Sequence, residues 1–562
     1  MPPFFSSPTG KHCILYHTNW CNYARSFNVK DLPIDSVTDI CYAFFNLAPS
    51  IDNANLWVIT SGDRWADFEN PFMGKGAPPE NTWQSPPQDL GNLGQFRKLL
   101  ASGARINITL SIGGWTWSKH FSEAVRTHQS RDSLAQSVIK FFKEWDVFNG
   151  VSFDWEYVSN NGVNYGADGN VTHPSDAANL LLFIKRVRIL FHDEGWLDYT
   201  ISLCCTPAPE KIKFKVEEFV EVLDQFHIMT YDFSGSWSKI AAHQSNLYNS
   251  QYSAYSVDTA VKEYLARGVP AAKVFIGVPF YSRGFVTQGL GCPSSGASPD
   301  TSWEAGVVDY KKLPLPGAEE LWDEEAQAAY SYDKNRKVLN TYDDPRAVQE
   351  KCDYVKRLGL GGLIVWESSA DFSSDHDRSL LKVIKQSLTH KNPRDSSEIS
   401  MHEVGKALED LEGKKEEQQP KRVAAPSLPS MSTSIYGGYP RRGLPTPPDT
   451  SAPSLLSQKT LDSHGTPPPV PLSTKPKEMS TPVKHGASSV SSQTSASTAI
   501  RGSYKAAPPL PPHRVVYRIQ PTSRPSSVNV EYRGSTYECM LAHSGLPNWN
   551  PEDASTLWKR RT

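Results

Sequence analysis

Eight short apolar runs, rich in β-branched and aromatic residues, recur between residues 13 and 367 with amphipathic stretches between them. They are Cys13–His17, Thr38–Asn46, Arg105–Ile112 and Gly150–Tyr157, then Tyr199–Leu203, Gln225–Asp232, Val274–Tyr281 and Gly362–Glu367. Most are near-continuous rather than alternating, which is the pattern of parallel strands covered on both faces. The intervening segments Ser133–Trp145, Asp176–Phe191, Val257–Ala266 and Pro345–Leu358 have helical periodicity. The last follows Asp343-Asp344, so it opens with an N-cap residue and a proline in the first turn. Eight strands separated by helices predict an α/β fold, a (β/α)8 TIM barrel. The alternative is an open doubly wound sheet, whose topological switch point a sequence does not display.

One connection is too long for a simple barrel. About 56 residues, from Gly284 to Leu339, separate the seventh run from the helix before the eighth. Val307–Tyr310 reads as a strand and Glu319–Ala329 as a helix, so residues 284–340 are expected to form a small inserted α+β subdomain within a catalytic domain spanning 8–390. Thirteen of the 15 Trp precede residue 390, whereas residues 391–530 hold 21 of the 43 Pro with no Trp and no Phe. Such a stretch cannot bury enough apolar surface to offset its chain entropy, so 391–525 is expected to be a disordered Pro/Ser/Thr-rich linker. Within it, Glu403–Leu411 can form one exposed helix. Pro508–Pro512 has the composition of an SH3-type ligand, although such runs more often act as spacers. In 526–562, Val528–Tyr532, a turn at Arg533-Gly534, and Ser535–Met540 read as a hairpin, the nucleus of a small all-β module.

The formal charge of −2 is not that of a polyanion-binding protein, so nucleic acid is not an expected partner. No apolar stretch approaches the length of a membrane span. The eight Cys show no metal-ligand spacing, and no metal or cofactor is expected. They read as free thiols of a reducing compartment. Met1–Gly10 lacks the charged and apolar regions of a secretory signal.

Chemistry concentrates at the ends of the runs, where barrel enzymes carry their active sites. In Ser152-Phe153-Asp154-Trp155-Glu156-Tyr157, residues at i and i+2 share a face, which points Asp154 and Glu156 together into the barrel mouth with Ser152 below. Two adjacent carboxylates cannot both ionise freely, so one is pushed to a higher pKa, the property a general acid needs. The sixth run ends in Met229-Thr230-Tyr231-Asp232, offering a phenol donor and a third carboxylate. The third ends in Gly113-Gly114-Trp115, where paired glycines permit close approach of a ligand or neighbouring backbone. Any one Trp is most simply a core residue. Trp115, Trp237 and Trp366 at strand ends beside carboxylates instead suggest stacking platforms for sugar rings.

These motifs resemble the chitinases of glycoside hydrolase family 18. Asn149–Glu156 occupies the family's fourth-strand signature. Ser111–Gly114, Met229–Asp232, Gly361–Glu367, Tyr16–Trp20, Tyr42–Asn46 and Trp303–Tyr310 match further motifs in order. The resemblance implies retaining, substrate-assisted hydrolysis of β-1,4-linked N-acetylglucosamine polymers without a cofactor. In that scheme Glu156 is the acid and then the base, Asp154 orients the substrate's acetamido group, and Tyr231 hydrogen-bonds its oxygen with Asp232 nearby. Met229 packs beneath and Trp366 floors the distorted sugar. Tyr16, Phe45, Trp115, Trp237, Tyr281 and Arg283 match cleft-lining positions. The inserted segment resembles the family's insertion domain, and chitin or chito-oligosaccharides are the expected partners.

Asn149 and Ser152 stand where the family signature usually has Asp. A serine at 152 can hydrogen-bond Asp154 but cannot carry charge, so an altered pH–rate profile is expected. Val158 replaces a usual proline, and the loop after it runs long through Asn170. Residues 528–558 resemble a small chitin-binding module without its usual upstream elements. The resemblance makes Trp549 the ligand-stacking residue and Trp558 a core residue. Competing readings are a chitin-binding lectin on a weak or inactive barrel, against which Glu156 argues, and an endo-β-N-acetylglucosaminidase. Location is open between intracellular, from the missing signal, and extracellular or wall-associated, from the polymer substrate. The substrate favours the latter, reached by a non-classical route.

Overall fold

In the computed structural model the described residues are 2, 4–72, 81–82, 84–159, 162, 169–389 and the four strands of a C-terminal sheet. The expectations for the rest of 391–562, including the linker, the Glu403–Leu411 helix, Pro508–Pro512 and Trp549, concern residues outside these.

Eight parallel strands close into a barrel. They are β1 (His12–Thr18), β2 (Asp39–Pro49), β4 (Asn107–Gly113), β5 (Gly150–Asp154), β6 (Thr200–Cys205), β7 (Gln225–Ile228), β8 (Val274–Pro279) and β15 (Gly362–Trp366). The ladder runs β1-β15-β8-β7-β6-β5-β4-β2, and β2 returns to β1. That closure excludes the open doubly wound sheet. β3 (Trp57–Ser61) is an antiparallel flap on the outer half of β2. Helices α1 (Gly91–Ala101), α2 (Phe121–Ala124), α3 (His128–Trp145), α4 (Asp176–Asp193), α5 (Val257–Ala266), α6 (Pro345–Arg357) and α7 (Leu380–Ile384) complete the α/β pattern. The Asp344 side chain accepts the Ala347 N–H and Pro345 fills the first turn, as the sequence predicts for α6. Two connections depart from the simple alternation. Between β1 and β2, and between β6 and β7, the chain makes only 3₁₀ turns. Pro33, Pro207 and Pro209 interrupt helix propagation there.

The outward faces of the strands and the inward faces of the helices share one large core, with Phe142, Phe148, Phe153, Phe183 and Tyr264 fully buried. A second cluster fills the barrel itself, built from Ile14, Tyr16, Cys41, Ala43, Phe44, Cys204, Met229, Phe275 and Ile364. Cys41 and Cys204 belong to this inner layer, and the Ser152 hydroxyl reaches Cys204 within it. Cys13, Cys21, Cys41, Cys204, Cys205, Cys292 and Cys352 are free thiols.

The inserted segment is an antiparallel sheet of six strands. β9 (Tyr281–Thr287) leaves the barrel, β10 (Ser294–Ala297) and β11 (Val307–Asp309) pair with it, and β12 (Glu319–Asp323), β13 (Ala328–Asp333) and β14 (Val338–Tyr342) complete the order β10-β9-β14-β13-β12. The helix expected over Glu319–Ala329 is a hairpin instead. Trp322, Tyr330 and Tyr332 favour strand, and Asp323 Oδ1 accepts the N–H of Glu325 and Ala326 to make the turn. The segment's one described helical element is a 3₁₀ turn, Tyr310–Lys312. At the C-terminus the expected hairpin forms between β17 (Asn529–Tyr532) and β18 (Ser535–Cys539). β16 (Ile519–Gln520) and β19 (Trp558–Arg561) flank it in a four-stranded sheet. β16 lies inside the stretch that composition assigned to the linker.

Candidate active site

The C-terminal ends of the barrel strands open on a cleft of about 810 Å³, walled on one side by Arg283, Trp303 and Glu304 of the inserted sheet. Ten of the twelve expected site residues other than Glu156 line it: Asp154, Tyr231, Asp232, Tyr16, Trp115, Met229, Trp237, Tyr281, Arg283 and Trp366. Glu156 lines it too. Of the other two, Phe45 does not line it, and Trp549 lies outside the described residues.

Strand β5 ends at Asp154, so Glu156 sits on the first turn beyond the ladder rather than within it. The backbone there is pinned from both sides. Glu156 N–H donates to Ser118 Oγ at 2.8 Å, and its carbonyl accepts from Asn170 Nδ2 at 2.8 Å. Ser118 Oγ in turn reaches the carbonyls of Gly114 and Asp154. Gly113 and Gly114 adopt φ of +108° and +84°, and a Cβ on Gly113 would fall 2.3 Å from the Asp154 carbonyl. This close approach is why glycine is required beside the acids. Burial, with the neighbouring Asp154 charge, pushes the Glu156 carboxyl well above the ordinary carboxylate range. Burial alone pushes Asp154 up to about 7, against a hydrogen bond from the Cys204 thiol that pulls it down. Asp154 Oδ1 is buried without a protein partner. A protonated acid therefore sits beside a second carboxyl with one oxygen free for a donor from outside the protein.

Asp232 is not free in this way. It adopts φ +58° and accepts from Tyr281 Oη at 2.9 Å and Arg283 Nε at 2.7 Å. Arg283 also reaches Glu304 at 2.9 Å, and its guanidinium lies 5.0 Å from the Trp237 ring centroid. This clamp joins the β7 end to the inserted sheet and backs one aromatic wall. Tyr231 packs edge-on to Tyr281 and lies over Gly277, whose Cβ would fall 2.6 Å from its ring.

Trp366 forms the floor, with Phe44 stacked 5.7 Å from it at 24° and Tyr16 tilted at 5.7 Å. Phe44, not Phe45, lines the cleft. Phe45 points the other way, 1% exposed and packed on Phe141 at 4.8 Å. The register of β2 against β4 shifts between Tyr42 and Phe45. Both Ala43 and Phe44 consequently face the barrel interior, a bulge that turns Phe45 away from the cleft-lining position the family resemblance implied for it.

With this geometry in view, the comparison with known proteins is direct. The profile of the glycosyl hydrolases family 18 matches residues 12–371. The chain belongs to that family. It is 35% identical over 385 residues to an endochitinase 1 of Metarhizium robertsii, covering 65% of this chain and 83% of that protein. It is 34% identical over 387 residues to a chitinase 1 of Aphanocladium album, covering 66% and 84%. The catalytic domain of a psychrophilic chitinase B from Arthrobacter TAD20 superposes with a TM-score of 0.61 at 27% identity, covering 68% of this chain and 97% of that one.

Two departures from the family signature resolve differently in this family 18 chain. Asn149 is scaffold. It accepts the Ile108 N–H at 2.9 Å and donates to Asn107 Oδ1 at 3.0 Å at the closed end of the barrel. Ser152 lies under the acids, but its hydroxyl partners Cys204 Sγ at 3.8 Å rather than Asp154. Residues that sequence reasoning missed include Ser118, Cys204 and Arg25. Arg25 stacks 4.3 Å over Trp303 and pairs with Glu367 at 3.0 Å and Asp309 at 3.3 Å, all facing the cleft. Trp303 and Asp309 stand in the Trp303–Tyr310 motif, which was the available signal for this group. Nothing in the sequence pattern marks Ser118 or Cys204.

Proposed function

We propose that this glycoside hydrolase cleaves β-1,4-linked N-acetylglucosamine polymers with retention of configuration, using the substrate's own acetamido group as nucleophile. The observation that carries the reading is the state of the three carboxyls. Glu156 is held protonated by burial and so is fit to donate to a glycosidic oxygen. A protein nucleophile would have to be a free, ionised carboxylate. Asp232 is tied by Tyr281 and Arg283, and Asp154 is buried against the acid itself. Asp154 is instead placed to receive the acetamido N–H on Oδ1, orienting the carbonyl oxygen toward the anomeric carbon and offsetting the positive charge that develops. Tyr231 donates to that oxygen. As the leaving sugar departs with the Glu156 proton, the acetamido oxygen bonds to the anomeric carbon; the ionised Glu156 then takes a proton from the incoming water, whose attack on that carbon breaks the new C–O bond, restores the acetamido group and leaves the original configuration. Trp366, Phe44, Trp115 and Trp237 supply stacking faces for the sugar rings.

Turnover of a fluorogenic chitobioside by the wild type and by Glu156→Gln tests the assignment. The variant should lose about 10²–10⁴-fold in kcat. A silent wild type removes the enzyme reading, and equal rates in both remove Glu156 as the acid.

The C-terminal strands and the resemblance of residues 528–558 support a second element of the reading, an auxiliary chitin-binding end. The polyproline run Pro508–Pro512 is read as spacer.

A further inference from the structure

The β7–β8 ladder runs from Phe226 opposite Val274 to Ile228 opposite Ile276 and ends there. Met229, Thr230 and Tyr231 lie beyond it, and side chains replace the ladder. The Thr230 hydroxyl accepts the Gly277 N–H at 2.7 Å and donates to the Gly277 carbonyl at 3.0 Å. The peptide between Thr230 and Tyr231 is held at both ends. Its N–H donates to the Met229 carbonyl at 2.7 Å, and its carbonyl accepts from Ser245 Oγ at 2.6 Å. A planar peptide fixed at both ends sets the direction in which the following Cα projects its side chain. That side chain is the Tyr231 phenol, whose ring lies over Gly277. Ser245 is itself fixed from behind. Lys351, on α6 and fully buried, places Nζ 2.6 Å from Ser245 Oγ and 2.5 Å from Asp343 Oδ2. An ammonium only donates, so the Ser245 oxygen accepts from it and the one hydroxyl proton goes to the Thr230 carbonyl. The bonds therefore run in one direction, from Lys351 to Ser245 to Thr230.

Neither Lys351 nor Asp343 lines the cleft, and taking two charges out of water is costly compared with filling the same space with apolar side chains. An apolar residue at 351 would, however, leave the Ser245 oxygen without its donor. We propose that Lys351 and Ser245 are positioning residues for Tyr231: the charge-assisted bond from Lys351 orients the Ser245 hydroxyl, which anchors the Thr230–Tyr231 peptide and with it the phenol in the cleft. The same segment supports the cleft at a second point. Gln244 Nε2 donates to the Tyr281 carbonyl at 2.6 Å, and Tyr281 packs edge-on to Tyr231. Asp343 directly follows β14, so the anchor begins where the inserted sheet returns to the barrel. The inserted segment thereby both walls the cleft and steadies one of its hydrogen-bond donors.

This inference rests on the proposed role of Tyr231 in hydrolysis, so its test has one arm that needs turnover and one that does not. Ser245→Ala cuts the chain in the middle and leaves the Lys351–Asp343 pair in place, with thermal melting as the folding control. On the fluorogenic chitobioside, kcat should fall about 5–20-fold and KM should change less than about twofold, because the phenol's bond is completed only as the acetamido oxygen attacks. In a Tyr231→Phe background the same substitution should change kcat less than about twofold. Lys351→Met with Asp343→Leu removes the pair together, so that no buried charge is left alone. This double variant should lower kcat in the wild type and no further in Ser245→Ala. An unchanged kcat in a folded Ser245→Ala, or an equal fall with and without the Tyr231 hydroxyl, overturns the proposal. In the second arm, meta-fluorotyrosine replaces Tyr231 alone and its fluorine resonance is recorded without substrate. The line should shift or broaden in Ser245→Ala. An identical line in the two proteins overturns the proposal whatever the activity, whereas a silent wild type with a shifted line overturns only the hydrolytic role of Tyr231.

Discussion

Replacing Arg283 by Ala removes one cation from between two carboxylates and the support from one aromatic wall. In the folded protein the guanidinium bridges Asp232 at 2.7 Å and Glu304 at 2.9 Å. Breaking a fully buried pair from one side costs about 3–5 kcal/mol, because the remaining charge is left desolvated. Here the Arg283 side chain is 7% exposed, but Asp232 and Glu304 are 27% and 17% exposed, so water takes over part of the lost interaction. The expected loss is about 2–3 kcal/mol at neutral pH. The pH dependence gives the sharper test. Burial raises the Glu304 carboxyl above its ordinary value, and Arg283 opposes that rise. Without Arg283 the folded-state pKa climbs further above the unfolded one. A carboxyl raised in the folded state destabilises it above that pKa, and the penalty disappears as pH falls through the unfolded value of roughly 4. Urea unfolding followed by tryptophan fluorescence, at roughly pH 5 and pH 8, should show the Arg283→Ala deficit shrinking at the lower pH. Arg283→Lys keeps a charge but cannot span both acids, and should fall between. A deficit equal at both pH values, or below about 1 kcal/mol at pH 8, would refute the reasoning that the clamp is an electrostatic one.

Three further outcomes are expected. Ser152→Asp places a second carboxyl beneath Asp154, and a pair sharing one proton loses its first proton more easily, so the acid limb of kcat/KM should move to lower pH; an unmoved limb means the two positions do not couple. Phe45→Ala should cost about 3–5 kcal/mol in urea unfolding with little change in turnover per folded molecule, whereas Phe44→Ala should mainly raise KM; the reverse pattern would contradict the inward placement of Phe44. Deleting residues 391–562 should leave chitobioside hydrolysis intact and weaken sedimentation with insoluble chitin, and unchanged sedimentation would remove the auxiliary binding role of the C-terminal end.

The barrel was legible in the sequence because its parallel strands are covered on both faces, which writes eight apolar runs with little ambiguity of type. Strand ends were less legible. The runs ending at Tyr157, Asp232 and Glu367 overshoot the ladders, which stop at Asp154, Ile228 and Trp366. Aromatic and acidic residues crowd these termini for the sake of the cleft, and they prolong the apparent strand past its last hydrogen bond. The Phe45 position, carried over from the family motif, missed by one residue, because the bulge at Ala43–Phe44 that decides which side chain faces inward is set by pairing with β4, a partner more than sixty residues away. The helix assigned to Glu319–Ala329 gave way to a hairpin because pairing partners outside the segment, β9 and β14, decide its state. Cys204 was invisible because a cysteine on an apolar strand reads as core. Its place in the polar layer under the acids comes from Tyr16 and Ser152, which β1 and β5 bring within reach of it. A residue that touches substrate announces itself by type and place at a strand end. A residue that acts through another is defined by the neighbours that barrel closure supplies.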